Sequence, residues 1–314
     1  MKRYAITSGD ENGIGYEVTV KALCELGPQN QSQFVIFRGL NSEVRYLRRL
    51  QKKFNILRIE HRDQLSQAKL DKNTIIDLVL PTAPPFWVKE AAELCIKKHL
   101  SGMITAPLSK ELIQKSGFSY AKGHTEILQK VSRCSQVNMV FIGKYFNVLL
   151  VTGHVALNDV PSKLTKSLVK ISMQQALRLR QKLPSKQKNK PIALVGLNPH
   201  AGEGGLLGTE ELKIFSPALS TFNKKDWAGP LPPDVAFKKE NWPLYSVFVC
   251  PYHDQGLIPF KLVHGADSGY HLTFGLPFVR TSVDHGTAFD IFGKNRANPS
   301  SMIDAIKACL ALTE

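Results

Sequence analysis

Short apolar runs alternate with longer amphipathic segments along most of the chain, which predicts repeated strand and helix units. The sequence predicts strands at residues 4–7, 34–37, 74–80, 102–105 and 192–196. It predicts helices at about 16–26, 42–53, 87–100, 162–183 and 209–222, and a last helix that opens near Pro299. Strands that alternate with helices form largely parallel sheets, so we expect an α/β protein.

Residues 138–153 break this rhythm. Two β-rich runs, MVFI and FNVLLVT, meet at Gly143 and Lys144 in the manner of a hairpin. The sequence therefore predicts a mixed sheet from this point on, with a loop rich in Lys, Gln and Pro at 184–191. There is no internal repeat and no long linker, so any two domains are expected to share an extended interface.

The composition favours a soluble enzyme-sized protein. The chain has 314 residues, of which 43% are hydrophobic, enough for one large core or two smaller ones. The first ten residues lack the apolar core of a signal peptide, and no apolar run is long enough to span a bilayer. Five scattered cysteines without a CxxC spacing indicate neither a disulfide framework nor a zinc knuckle. We expect a cytoplasmic location.

The formal net charge of +15 fits three kinds of partner: nucleic acid, an anionic membrane or a phosphorylated substrate. The densest basic clusters, at 45–53 and 178–190, lack interleaved aromatic residues and any nucleic-acid-binding signature. The sequence therefore favours a small phosphorylated substrate, with no nucleic acid and no membrane as partner.

Three histidines follow β-rich runs and enter loops, where open α/β sheets gather their ligands. They are His154, His200 and His253. Each one alone is more typical of a structural histidine that bonds backbone. Three in the same setting favour a divalent metal site, because three neutral imidazoles leave the ion an open position for substrate.

Other segments carry groups suited to anions and nucleotides. The turn SGDENGIG at 8–15 lets backbone approach an anion near a helix N-terminus, although a purely structural turn fits equally well. Arg280 has the geometry to bind a carboxylate or phosphate, and a surface ion pair is the alternative. In the segment 284–294, Gly286 permits close approach of a cofactor, while His285 and, just after the segment, Asn298 offer polar edges to adenine or ribose.

Taken in order, several blocks resemble the 4-hydroxythreonine-4-phosphate dehydrogenase family. They are TSGDENGIG, GHTEIL, TGHVALNDVPSKLT, GLNPHAGEGGLLGTEE, GPLPPD, YHDQGLIPFK and GLPFVRTSVDHGTAFDIFGK, and they span nearly the whole chain. The segment HGTAFDIFGKNRANP is also similar to the NAD-binding segment of isocitrate and isopropylmalate dehydrogenases.

The resemblance implies a two-domain α/β/α fold of the isocitrate and isopropylmalate dehydrogenase type, with the active-site cleft between the domains. The domains are expected at 1–125 plus 270–314 and at 126–269, with the dimer interface in the second. It also implies a homodimer with a shared active site, in which one of the three metal-binding histidines comes from the partner subunit. The implied cofactors are NAD or NADP and one divalent ion: Zn, Mg or Co.

The resemblance also assigns roles to individual residues. The implied substrate-binding residues are His124, Thr125, Lys261, His271 and Arg280. The cofactor-binding residues are expected to be His285, Gly286, Thr287, Ala288 and Asn298. Candidates for proton handling or for support of the histidines are Asp254, Asp159 and Lys110, which the sequence does not rank.

The implied reaction is NAD-dependent oxidation and decarboxylation of 4-hydroxythreonine 4-phosphate to 3-amino-2-oxopropyl phosphate, a step of pyridoxal 5'-phosphate biosynthesis. One position departs from the family pattern: His271 stands where these enzymes usually carry Asn. This departure motivates the alternative of a paralogue that oxidises threonate or erythronate 4-phosphate. A metal-dependent phosphoesterase is a remote alternative, because it leaves the segment 285–294 unexplained.

Overall fold

The computed structural model describes residues 1–29, 31–40, 44–265 and 269–313. Residues 42 and 43 of the predicted second helix lie outside the described ranges. The strands are β1 (Lys2–Thr7), β2 (Ser32–Gly39), β3 (Asn55–Ile59), β4 (Thr74–Leu80), β5 (Gly102–Thr105), β6 (Asn138–Ile142), β7 (Asn147–Leu150), β8 (Ile192–Val195), β9 (Trp227–Leu231), β10 (Phe248–Cys250), β11 (Tyr270–Phe274) and β12 (Val279–Ser282).

The α-helices are α1 (Gly15–Leu26), α2 (Val44–Gln51), α3 (Pro84–Ile96), α4 (Lys110–Lys115), α5 (His124–Ser132), α6 (Val160–Lys163), α7 (Lys166–Lys182), α8 (Ser185–Lys188), α9 (Ser216–Leu219), α10 (Pro233–Ala236), α11 (His253–His264) and α12 (Ser300–Thr313). Short 3-10 helices lie at Arg62–Ser66, Leu157–Asp159, Lys224–Asp226, Lys239–Leu244 and Phe289–Ile291, a π-helix at Glu211–Phe215, and a turn with positive φ angles at Pro199–Gly205. No helix of the described residues is long and apolar enough to cross a membrane.

The chain forms two compact units, and the first comprises residues 1–137 and 270–314. Its strands lie in the order β3-β4-β2-β1-β5-β12-β11. Neighbours are parallel except for the antiparallel pair β11 and β12. Side chains alternate across the sheet: Tyr4 and Ile6 pack into the apolar cluster with α1 and α12, while Ala5 packs into the cluster with α3 and α5.

The second unit comprises residues 138–269, with strands in the order β6-β7-β10-β8-β9. The predicted hairpin is confirmed as the antiparallel pair β6 and β7, and the other pairs are parallel. Phe146, Phe248 and Phe260 form its aromatic core, where α11 covers the sheet. The parallel arrangement of β7, β10 and β8 puts their carboxyl ends at one edge.

The structure corrects the first domain boundary, which lies at 137/138 and not at 125/126. Helix α5 belongs to the first unit because Ile127 and Leu128 are buried in the same apolar cluster as Trp87 of α3. An apolar stripe on a short helix does not reveal which of two flanking sheets it covers.

Two predicted helices are also interrupted. The segment 162–183 contains α6 and α7, separated at Thr165, whose side chain accepts a hydrogen bond from the Leu168 amide at 3.1 Å and so begins a new helix. The segment 209–222 contains the π-helix and α9 instead of one regular helix. The loop predicted at 184–191 includes the short helix α8.

Candidate active site

The structure places all three predicted metal-binding histidines at one edge of the second unit. His154 follows β7, His200 follows β8, and His253 begins α11 just after β10. The rings of His154 and His253 lie 5.3 Å apart between centroids. Within the described part of the chain, no group of three or more His, Cys, Asp or Glu side chains is placed to hold a metal ion.

Two of these histidines have a carboxylate on the same ring nitrogen. His253 Nδ1 lies 2.7 Å from Asp254 Oδ1, and His200 Nδ1 lies 3.0 Å from Glu203 Oε2. A carboxylate on Nδ1 favours the tautomer that carries its proton there, which leaves Nε2 as the coordinating atom. Metal-ligating histidines are commonly oriented in this way, so the donor set fits a divalent ion.

His200 lies in a strained turn. His200, Ala201, Gly202, Glu203 and Gly204 all have positive φ, from 43° to 81°. For a residue with a Cβ, the left-handed conformation costs about 1–2 kcal/mol. Three of the five residues carry a Cβ, so neighbouring contacts must hold the turn. Such strain is found most often at ligand-binding positions.

The other predicted residues of the second unit lie on its surface. Asp254 has a 71% exposed side chain and contacts His253, which makes it a group that orients this ring. Asp159 is exposed in the 3-10 helix after β7. Lys261 is exposed on α11, two turns beyond His253.

In the first unit, Arg280 is a buried cation without a carboxylate in ion-pair contact among the described residues. It is 2% exposed, although it is a charged side chain. Its guanidinium donates to Thr273 Oγ1 at 2.7 Å and to Thr105 Oγ1 at 2.5 Å, and its Nε has no partner. Burial lowers the pKa of Arg280 to about 9, and the more distant Glu126 opposes this shift. The group therefore stays charged at neutral pH.

His124 stands beside this cation at the start of α5. Burial, and then the positive charge of Arg280, lower the pKa of His124 well below its usual value. Its Nε2 atom is buried without a hydrogen-bond partner. The adjacent residue Thr125 lies in the first turn of α5, where free backbone N–H groups attract anions. A buried cation, an unpaired imidazole nitrogen and a helix N-terminus are together suited to binding an anion.

His271 belongs to the same cluster. Its Nδ1 lies 3.1 Å from Arg280 NH1 and 3.0 Å from Ser282 Oγ. Because arginine only donates hydrogen bonds, Nδ1 must be the acceptor, and the ring proton of the neutral imidazole is on Nε2. The guanidinium and the Ser282 hydroxyl thus fix the orientation of the ring.

The predicted cofactor segment packs against the glycine-rich turn at 8–15. The Ile14 amide donates to the Thr287 carbonyl at 3.0 Å, and a Cβ on Gly13 would approach that oxygen to 3.0 Å. Gly286 has open space where a side chain would stand, Ala288 has a left-handed φ of 45°, and His285 Nε2 is buried without a partner. Open backbone beside an unpaired polar atom fits a bound nucleotide.

Asn298 lies just before α12, and its side chain binds the start of that helix. Its Oδ1 accepts from the Ser300 amide at 3.0 Å and from Ser300 Oγ at 2.7 Å, so it caps the first turn of α12. Lys110 is exposed at the start of α4, where Ser109 caps the helix.

Sequence reasoning missed several residues that hold these sites. They are Thr105 and Thr273, which bind Arg280, and Glu211 and Gln255, which bind the loop of His200. Of these four residues, only Thr105 could have been found from the sequence. It ends a predicted strand, and ligands gather at the carboxyl ends of parallel strands.

Comparison with known proteins shows the family of the chain. The family model described as "Pyridoxal phosphate biosynthetic protein PdxA" matches residues 82–309. The chain belongs to the PdxA family. The resemblance inferred from the sequence blocks is thereby confirmed, and the chain is a dehydrogenase.

PdxA-family relatives match over almost the whole chain. A 4-hydroxythreonine-4-phosphate dehydrogenase from Sulfurihydrogenibium is 36% identical over 323 residues, which cover 99% of this chain and 98% of the relative. A D-threonate 4-phosphate dehydrogenase from Salmonella typhimurium is also 36% identical, over 332 residues and 99% of each chain. Overall sequence identity therefore does not separate these two substrates.

Solved structures agree with the fold. The structure of 4-hydroxythreonine-4-phosphate dehydrogenase from Klebsiella pneumoniae has a TM-score of 0.80 at 30% identity, with 100% of both chains covered. Isocitrate dehydrogenase from Methylococcus capsulatus, at 12% identity and a TM-score of 0.52, shares the fold alone, over 99% of this chain and 85% of its own. The predicted fold class is confirmed.

Proposed function

We propose that this PdxA-family protein oxidises and decarboxylates a small phosphorylated hydroxy acid. The observation that carries the proposal is the buried Arg280, which has no carboxylate partner within the described residues and lies beside the unpaired Nε2 of His124. A buried, unpaired cation is costly unless an anion completes it. A phosphate or carboxylate of the substrate is such an anion.

The first substrate we propose is 4-hydroxythreonine 4-phosphate, with 3-amino-2-oxopropyl phosphate as the product used for pyridoxal 5'-phosphate. The secondary alcohol becomes a ketone β to the carboxylate, and this acid then loses carbon dioxide. When bound, NAD or NADP supplies the hydride acceptor, and a divalent ion supplies a Lewis acid for the hydroxyl. His285, Gly286, Thr287 and Ala288 are the residues that would hold the nucleotide.

This chain's own residues bind and orient the reactants. Arg280, His124 and Thr125 bind the anionic group. Lys261 on α11 remains a candidate substrate-binding residue. His154, His200 and His253 are the residues that would hold the ion, and the carboxylates on two of these rings fix their tautomers. Imidazole ligands favour Zn or Co over Mg. Asp254 acts through His253, while Asp159 and Lys110 remain candidates for moving a proton.

We also propose a homodimer that shares its active sites. Large apolar side chains of the second unit are exposed next to each metal-binding histidine: Leu157 at 69%, Leu206 at 84%, and Ile258 and Leu262 at 67% and 84%. Ile258 and Leu262 lie on one face of α11, four residues apart. A second copy that covers these side chains would bring its own histidines to the site.

Production of NADH on a small panel of acids tests the proposed function. The panel is 4-hydroxythreonine 4-phosphate, D-threonate 4-phosphate, D-erythronate 4-phosphate and their unphosphorylated forms, each with NAD and with NADP. We expect metal-dependent turnover of at least one phosphorylated acid. If no acid reduces either nucleotide while inorganic phosphate is released, the phosphoesterase alternative holds instead.

A second substrate class is favoured by His271. Because its Nδ1 accepts from Arg280, the ring presents an Nε2–H donor. A substrate hydroxyl accepts from this donor, whereas the ammonium of 4-hydroxythreonine 4-phosphate is only a donor. The His271 position thus favours D-threonate 4-phosphate, the substrate in the name of the Salmonella relative.

Replacement of His271 by asparagine tests this specificity. Asparagine offers a carbonyl oxygen to an ammonium, so we expect His271→Asn to stay active. The ratio of kcat/KM for 4-hydroxythreonine 4-phosphate over D-threonate 4-phosphate should rise about tenfold, which corresponds to one hydrogen bond to a charged group. Steady-state kinetics with both substrates measure the ratio. An unchanged ratio in a folded variant would show that another residue sets the specificity.

A further inference from the structure

Glu211 is a buried carboxylate at the base of the His200 turn. It is 3% exposed and begins the π-helix Glu211–Phe215, a rare element that is frequent at functional sites. Within the described ranges no lysine, arginine or histidine forms an ion pair with it. A buried anion of this kind is destabilising unless hydrogen bonds satisfy it. Glu211 accepts three hydrogen bonds, and these must offset the cost of burying its charge.

All three of those bonds come from the segment that leads to His200. The amides of Leu197 and Asn198 donate to Glu211 Oε1 at 2.7 and 2.8 Å, and Asn198 Nδ2 donates to Oε2 at 2.9 Å. Only a carboxylate accepts from two adjacent backbone amides with one oxygen and from a side-chain amide with the other. A glutamine at position 211 would place its own NH2 group, a donor, against one of these N–H donors and so lose that hydrogen bond.

The left-handed turn wraps closely around this carboxylate. A Cβ on Gly202 would lie 2.8 Å from Glu211 Oε2, and one on Gly196 would lie 3.2 Å from Oε1. Gly202 has a φ of 81°, so glycine serves both the conformation and the close approach. Glu211 therefore holds the backbone of the turn in which His200 has its strained conformation.

Gln255 ties the same segment to the helix of His253. It lies two residues after His253 in α11, is 9% exposed, and donates from Nε2 to the Gly196 carbonyl at 2.6 Å. The next two residues, Leu197 and Asn198, are the ones that donate to Glu211. One short segment thus connects the His200 turn to the start of α11.

We infer that Glu211 and Gln255 are positioning residues, which hold the His200 turn against the helix of His253 and so raise the affinity of these histidines for a divalent ion. The inference rests on the proposed metal site. Neither residue needs to touch the ion. Removal of outer groups that orient ligating histidines weakens metal binding by about 10–100-fold.

Titration of the apo-protein with Co(II), followed by its visible absorption, measures this affinity without any turnover. Glu211→Gln is expected to weaken Co(II) binding by about 10–100-fold. The matched control is Glu210→Gln. Glu210 contacts the Asn198 side chain at 2.7 Å but neither backbone amide that Glu211 binds, so its replacement should change the affinity by no more than about twofold. Circular dichroism and the melting temperature establish that each variant is folded.

Gln255→Met is the second variant, because it removes the bond to Gly196 without changing any charge. We expect it to weaken Co(II) binding about tenfold. Unchanged affinity in folded Glu211→Gln would overturn the inference, and so would the unfolding of both variants, since the two residues would then serve only stability. If the wild type itself binds no Co(II) through its histidines, the proposed metal site fails, which is a distinguishable result.

Discussion

Substituting lysine for Arg280 will raise the KM for a phosphorylated substrate about 100-fold. A lysine keeps the positive charge but cannot bind Thr105, Thr273 and an anion with one planar group. The loss corresponds to about 2–3 kcal/mol, the value of one strong charge-assisted interaction. Initial rates over a range of substrate concentrations measure the effect.

Arg38 provides the matched control, since it is a second buried arginine in the same unit. It is 5% exposed, and its Nε and NH2 each bind a carboxylate oxygen of Asp77 at 2.7 Å. The anionic partner of Arg38 is thus a residue of the protein, Asp77, whereas the proposed anionic partner of Arg280 is the substrate. We expect Arg38→Lys to lower the free energy of unfolding by about 1–3 kcal/mol and to leave KM unchanged. Equal KM values for wild type and Arg280→Lys would mean that Arg280 is only structural.

The parts of the fold that depend on local pattern were predictable from the sequence. Buried strands such as β4 and β5 are rich in apolar and β-branched residues, and their bounds were predicted correctly. The positions of His154, His200 and His253 followed from the rule that residues after parallel strands meet at one edge. The transition from an apolar strand to a polar loop is a local pattern, so a single sequence is enough to predict it.

Strands without that pattern were missed for identifiable reasons. β3 lies at the edge of its sheet, and most of its side chains are at least partly exposed, so it lacks an apolar run. β9 contains Gly229 and Pro230, which normally argue against a strand. Both strands exist because a neighbouring strand supplies hydrogen bonds, and a local pattern does not contain that information.

The supports of the candidate site depend on contacts between distant residues. The sequence GLNPHAGEGG indicates a tight turn, but it does not reveal that Glu211 binds the turn from 13 and 14 residues away. The bond from Thr105 to Arg280 spans 175 residues. Such partners become visible only when the sheet fixes which segments are adjacent. The sequence thus offered candidates for the groups that bind a ligand, but it did not reveal the residues that hold those groups in place.

Replacing His200 with glycine will abolish turnover without destabilising the protein. The side chain is 65% exposed, so its removal costs little packing. Its φ of 50° is unfavourable for any residue with a Cβ, and glycine relieves about 1–2 kcal/mol of this strain. The greater freedom of glycine in the unfolded chain offsets about half of the gain. We therefore expect an unchanged or slightly higher melting temperature, measured by calorimetry, and a fall in kcat of at least about 1000-fold.

Ala201→Gly separates the loss of strain from the loss of the imidazole. Ala201 has a φ of 53° in the same turn but no group that binds a metal, so the backbone strain it relieves is nearly the same. This variant should match His200→Gly in melting temperature while it keeps its Co(II) affinity and turnover. If His200→Gly also keeps both, His200 is not a ligand. If Ala201→Gly loses Co(II) binding as well, the strained backbone itself, more than the imidazole, sets the geometry of the site.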